Sequence, residues 1–159
     1  MPVLQPSADG ARLLSDYHLA TLSTFARDAS IHVVAVGFTF EDGVVRIITS
    51  DGSQKVRNIE RDPRASVGQV SGPQWLSISG HAVIERDPDA VARAVELYAR
   101  RYRQPRPNPR RVVIRITPER MLGLVLRSVH STTLPTIIAK NVGCLSIADR
   151  IFFCLSEKK

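Results

Sequence analysis

Apolar positions recur along the first two thirds of the chain with two different periods, and the changes of period mark the elements. His18–Thr24 (HLATLST) and Ile31–Phe40 (IHVVAVGFTF) are rich in apolar and β-branched residues and are separated by the polar FARDAS, which predicts two strands of a hairpin. Glu41-Asp42-Gly43 supplies the next tight turn, because glycine readily takes the positive φ that hairpin turns need, and Val44–Thr49 follows as a third strand. Ser50-Asp51-Gly52 breaks that strand. Ser53 is placed to cap a short helix with Val56 and Ile59 turned inward and Lys55, Arg57, Glu60 and Arg61 outward, and Pro63 ends it.

Ala65–Val70 and Trp75–Glu85 are two further strands, the second alternating Leu76 and Ile78 with Ser77 and Ser79. Asp87-Pro88 opens the one long helix, with Asp as cap, Pro at the first helical position and an apolar stripe of Val91, Ala94, Val95 and Tyr98. Alternate prolines exclude helix and central strand from Gln104 to Pro109. Arg111–Ile116 then alternates as a sixth strand, and Met121–Leu126 is a seventh. Ahead of all these, Ala11, Leu13 and Leu14 mark a brief amphipathic helix between Asp9 and Asp16, capped by Ser7 or Asp9. Short strands, tight turns and one long helix predict a mostly β fold, an antiparallel barrel with flanking helices. The rhythm stops near Gly123, so residues 1–123 read as the domain and 124–159 as a C-terminal extension of unassigned order.

Composition narrows this little. A chain of 159 residues, 43% of them hydrophobic, supports one compact core. The net charge of +7 favours anions without choosing among nucleic acid, membrane and phosphorylated ligand. No apolar run approaches the ~20 residues that span a bilayer, and no secretory leader opens the chain, which predicts a soluble cytoplasmic protein without a membrane partner. Cys144, Cys154 and the four histidines, His18, His32, His81 and His130, have no metal-site spacing.

The candidate chemistry is equally sparse. Neither a dinucleotide fingerprint nor a phosphate-binding G-x-x-x-x-G-K-[ST] loop is present, and no Ser-His-Asp set, Cys-His set or carboxylate pair can be read from the spacing. No catalytic residue is therefore expected, and an enzyme of this sequence would take its chemistry from a bound cofactor. Ser53-Gln54-Lys55 at a helix start combines free backbone N–H groups with a cation, which suits a phosphate; a solvated helix face is the plain alternative. RRYRQPRPNPRR, from Arg100 to Arg111, is the densest basic run, yet no RNA-binding motif accompanies it and nucleic acid is not expected. Trp75 by itself reads as a core or barrel-end side chain.

The order LATLST, HVVAVGFTF, VRIITSDGSQKVRNIERDPRASV, WLSISGHAVIE and RYRQPRPNPRRVVIRITPERMLG resembles the split β-barrel family of flavin and deazaflavin oxidoreductases related to pyridoxamine 5′-phosphate oxidase. Within it, S-Q-K-x-x-N and R-Y-R-x-P-R-P-N-P-R-R are most similar to the actinobacterial branch of deazaflavin (coenzyme F420)-dependent biliverdin reductases. The resemblance covers roughly Leu14–Gly123. It implies an FMN-binding-like split barrel, a homodimer with two cofactor sites at its interface, and hydride transfer from reduced F420 to a conjugated acceptor, with biliverdin the leading tetrapyrrole. FMN is the alternative cofactor, in an oxidase of the pyridoxamine-phosphate type, and a non-catalytic carrier is the third reading. His32, Val33, Val34, Ala35 and Val36 would line the tricyclic ring; Thr49, Ser50, Ser53, Gln54 and Lys55 would hold the ribityl chain and phosphate; Trp75 would lie near the site, reaching from the other subunit. Arg110 and Arg111, fixed where the proline-rich loop enters the next strand, are assigned to the carboxylates of the acceptor.

Overall fold

The computed structural model describes residues 5–123 and 126–127; the rest of the C-terminal extension, with both cysteines and His130, lies outside them. A two-residue strand β1 (Gln5–Pro6) leads into α1 (Ala8–Ser15), which Ser7 caps by accepting from the Gly10 N–H at 3.2 Å. Next come β2 (Ala20–Phe25), β3 (Ile31–Val36), β4 (Thr39–Glu41) and β5 (Val44–Ser50). They are followed by α2 (Gln54–Arg61), β6 (Arg64–Ser71), β7 (Gln74–Glu85), α3 (Pro88–Arg101), β8 (Arg111–Gly123) and β9 (Leu126–Arg127). Seven strands form one antiparallel sheet in the order β3-β2-β6-β7-β8-β5-β4, and β1 pairs with β9.

The two edge strands of that sheet, β3 and β4, are separated in sequence only by Gly37 and Phe38. A flat sheet cannot bring its first and last strands together across two residues, so the sheet must curl into a barrel. Here the single strand expected over Ile31–Phe40 is corrected to two. Gly37 lies under the rings of Tyr98 and Tyr102, where a Cβ would stand 2.8 and 3.2 Å from ring carbons. Phe38 is fully buried, its N–H donates to the Tyr102 hydroxyl, and its carbonyl accepts from Arg101 at 2.6 Å. These cross-links replace ladder partners and turn the chain from one sheet edge to the other.

The expected sixth and seventh strands are one continuous strand. Pro118 suggests a break, but it falls at a bulge where the β7–β8 register shifts between Ser79 and Gly80, and the missing proline N–H costs no ladder bond there. Gly80 makes the bulge possible, because a Cβ would stand 2.0 Å from the Thr117 carbonyl. Elsewhere pattern and structure agree. Asp42 and Gly43 both take positive φ in the β4–β5 turn, and Leu76 and Ile78 point inward while Ser77 and Ser79 do not. The core joins Leu22, Phe38, Ile47, Val67, Ile78 and Ile114 from across the sheet.

Candidate cofactor site

Register builds the site. At the end of β5, Ser50 pairs with Arg111 and Thr49 with Val112, so the loop into α2 meets the start of β8. The pocket of about 340 Å³ between them is lined by Ala35, Val36 and Gly37 at the end of β3, by Ile48, Thr49 and Ser50, by Lys55, and by Tyr98, Pro105, Asn108 and Arg111. Six of the thirteen residues expected in the site therefore converge: Ala35, Val36, Thr49, Ser50, Lys55 and Arg111.

Lys55 is half-buried, and burial holds its ammonium below the usual lysine pKa. No carboxylate lines the pocket with it. The nearby acid of the loop, Asp51, is held below its ordinary pKa chiefly by the Arg86 guanidinium, which binds its carboxylate at 2.8 Å and Glu60 at 2.6 Å. Ser53 takes the N-cap position of α2, yet its hydroxyl makes no capping bond and is buried with no hydrogen-bond partner. An unsatisfied buried hydroxyl and an unpaired half-buried cation at one helix start are each unfavourable as they stand. A phosphate would satisfy the cation together with the first-turn N–H groups of α2; the Ser53 hydroxyl lies at the same helix start without lining the pocket.

The remaining expected residues lie elsewhere. Gln54, an exposed residue, donates its amide to Asn58 Oδ1 at 2.8 Å, and Asn58 in turn makes a buried bond to Thr24 Oγ1 at 3.0 Å. Arg110 does not line the pocket; it donates to the Asp51 carbonyl at 3.0 Å and so braces the loop. His32, Val33 and Val34 sit farther along β3 than the pocket; Val33 is exposed, and His32 Nδ1 is buried without a partner. Trp75 is not a core residue: alternation along β7 places it outward, 39% exposed and paired with Val70. It lines a neighbouring groove of about 480 Å³ that shares Ala35 with the pocket.

Sequence reasoning missed Gly37, Tyr98 and Asn108. Tyr98 was visible only as part of an apolar helix stripe, and Asn108 only as a polar residue between prolines. Asn108 Nδ2 donates to Ser50 Oγ at 2.8 Å and Asn108 Oδ1 accepts the Arg110 N–H, so it ties the proline-rich loop to the pocket floor.

Residues 10–124 match the sequence profile of the family described as pyridoxamine 5′-phosphate oxidase. The chain belongs to the pyridoxamine 5′-phosphate oxidase family. It is 52% identical over 119 residues to a protein of Mycobacterium tuberculosis (strain CDC 1551 / Oshkosh) named F420H(2)-dependent biliverdin reductase, covering 74% of this chain and 87% of that one. Among solved structures it resembles an F420 reductase, with a TM-score of 0.60 and 26% identity over 69% of this chain and 93% of that chain. It also resembles the conserved hypothetical protein Rv2991 of Mycobacterium tuberculosis, with a TM-score of 0.68 and 26% identity over 86% and 93% of the two chains. As in the family expectation, the fold is a mostly antiparallel split barrel with three helices. Among the described residues no cluster of side chains could hold a metal ion, and no helix is long and apolar enough to cross a membrane.

Proposed function

We propose that this member of the pyridoxamine 5′-phosphate oxidase family is an F420H2-dependent reductase acting on a conjugated acceptor, with biliverdin as the leading candidate. The observation that carries the reading is the pairing of an anion-less Lys55 with an orphaned Ser53 hydroxyl at the start of α2, in a chain half identical to an F420H2-dependent biliverdin reductase. When bound, the reduced deazaflavin supplies the hydride that the acceptor receives. The chain's own part is to bind and orient. Lys55 and the α2 N–H groups, with the Ser53 hydroxyl at the same helix start, would hold the phosphate; Thr49 and Ser50 would offer hydroxyls to the ribityl chain, and Ala35 and Val36 would bound the ring side with apolar surface. Burial holds the Lys55 ammonium below its usual pKa, and the charge of a bound phosphate would return it toward that value.

We infer that the working unit is a homodimer formed in the cytoplasm. Its support is the outward face of the sheet, where Ile31, Val33, Val70, Trp75 and Leu122 are exposed around small residues such as Gly68 and Ser77. A second copy laid on that face would cover an apolar patch and close the Trp75 groove beside the pocket. Residues 1–123 are taken as the part that holds the cofactor.

Titration of the purified chain with F420 and with FMN tests the reading. Tight binding of F420, weakened by one to two decades in Lys55→Ala through loss of a charge-assisted bond of about 1.5–3 kcal/mol, is the expected result. Tight binding of FMN with none of F420, or an F420 affinity indifferent to Lys55, would overturn it. An acceptor panel with the loaded protein then tests biliverdin.

A further inference from the structure

The proposed function uses Lys55 and gives no role to two arginines that lie beside its pocket. Arg103 and Arg106 lie on the loop between α3 and β8 and line, with Tyr98, Gln104 and Pro105, a cleft of about 490 Å³. Tyr98 and Pro105 also line the cofactor pocket, so the two hollows share a wall.

The arginines of this basic run differ in what they bind. Arg101 turns inward, donating to the carbonyls of Leu13, Asp16 and Phe38. Arg110 donates to the Asp51 carbonyl, and Arg111 donates to the Arg106 carbonyl at 2.5 Å. Among the described residues, the guanidinium groups of Arg103 and Arg106 have no hydrogen-bond, ion-pair or ring partner. No acidic side chain lines their cleft.

The loop that carries them is fixed at both ends. Tyr102, just before Arg103, donates its hydroxyl to the His18 carbonyl at 2.8 Å, and Asn108, just after Pro107, is bound to Ser50. Prolines 105 and 107 stiffen what lies between. Two unpaired guanidinium forks are thus displayed with little freedom to lose, beside a pocket and facing no anion of the chain itself. Planar forks of this kind match carboxylates in two-point geometry.

We propose that Arg103 and Arg106 form a carboxylate-binding site for the outer, chain-borne acid groups of a ligand whose ring lies in the adjoining pocket. The inference rests on the cofactor reading above and moves the carboxylate role from Arg110 and Arg111 to the two arginines that are free to perform it. Carboxylates on flexible arms could come from a glutamate tail on the cofactor or from the propionates of a tetrapyrrole acceptor. The chemistry is the same.

Two probes without the deazaflavin ring separate these sources: a γ-linked triglutamate peptide, and biliverdin compared with its dimethyl ester. Each is titrated into the full-length chain, into Arg103→Gln/Arg106→Gln, and into Arg12→Gln/Arg27→Gln, which removes the same charge from exposed positions elsewhere. The expected result is a preference of the wild-type chain for at least one carboxylated probe, reduced about tenfold in the first variant and unchanged in the second. Loss confined to triglutamate assigns the site to the cofactor tail, and loss confined to biliverdin over its ester assigns it to the acceptor. Equal losses in both variants, or no carboxylate preference in the wild-type chain, would overturn the proposal. A chain that binds neither F420 nor FMN but still loses triglutamate in the first variant would overturn the proposed function and leave the carboxylate site standing.

Discussion

The side-chain amide of Asn108 donates to the hydroxyl of Ser50 at 2.8 Å, joining residues 58 positions apart. Around this bond the backbone also closes, with the Asp51 N–H donating to the Arg110 carbonyl at 2.7 Å. The proline-rich loop therefore acts as a brace on the residues that enter α2. Asn108→Ala removes two exposed hydrogen bonds, to Ser50 and from the Arg110 N–H, each worth about 0.5–1.5 kcal/mol, and should lower Tm by about 2–12 °C. Its larger effect should fall on cofactor affinity, by several-fold. Ser50→Ala removes the same bond from its other side, so the double variant should lose less than the sum of the two single losses. Additive losses would show that the two residues act separately.

Gly37 admits no side chain. A Cβ there would stand 2.8 Å from Tyr98 Cε2, and Tyr98 cannot retreat freely because its ring lies 4.7 Å from that of Tyr102. Gly37→Ala should destabilise the protein by about 1–3 kcal/mol in urea unfolding, the usual scale for overpacking. Adding Tyr98→Leu should recover part of that loss. A neutral Gly37→Ala would mean that the ring moves aside.

Acid sensitivity has one identifiable contributor. The Asp62 carboxylate accepts from the Arg64 side chain at 2.6 Å and from the Arg64 N–H at 3.1 Å, and these bonds hold its pKa down to about 2 from 3.8. A carboxylate whose folded pKa is lowered contributes stability fully above its unfolded pKa and loses it as pH falls through the folded one. The Tm difference between wild type and Asp62→Asn should be constant above about pH 5 and close as pH approaches 2. A gap that widens on acidification would contradict this sign.

The outward sheet face predicts its own disruption. Val33 is 55% exposed on edge strand β3, and an arginine there would put charge into the apolar patch that includes Ile31. Val33→Arg should sediment as a monomer while the wild type sediments as a dimer, with Trp75 emission shifted to the red as its groove opens to water. A wild-type monomer would remove the dimer from the reading.

Much of this architecture is written in local pattern, because two-residue alternation and turn glycines act over a few residues. The Asp42-Gly43 turn, the Asp87 cap of α3 and the inward Leu76 and Ile78 were all legible for that reason. What pattern could not supply was the partner of each polar group. The Gln54 amide donates to Asn58 and the Arg110 guanidinium to the Asp51 carbonyl, partners that no local pattern announces. The same limit hid the break at Gly37-Phe38: nothing in IHVVAVGFTF itself interrupts a strand, and the interruption is imposed by Tyr102 and Arg101, more than 60 residues away. Lys55, singled out because helix starts favour anions whatever lies across from them, does line the pocket.

Those distant fasteners on Phe38 set an order of events during synthesis. Tyr102 and Arg101 reach it across 64 and 63 positions, so a nascent chain has made both barrel edges, β3 and β4, well before the groups that bring them together leave the ribosome. Until α3 emerges, the two edges have free backbone groups and no fixed relation to each other, the condition in which strands pair with the wrong neighbour. Closure of this barrel thus waits both for α3 and for β8, the later strand that joins β5 to β7. Variants that weaken the Tyr102 or Arg101 contacts to Phe38 would lower the yield of soluble protein on expression more than they lower the stability of the molecules that do fold.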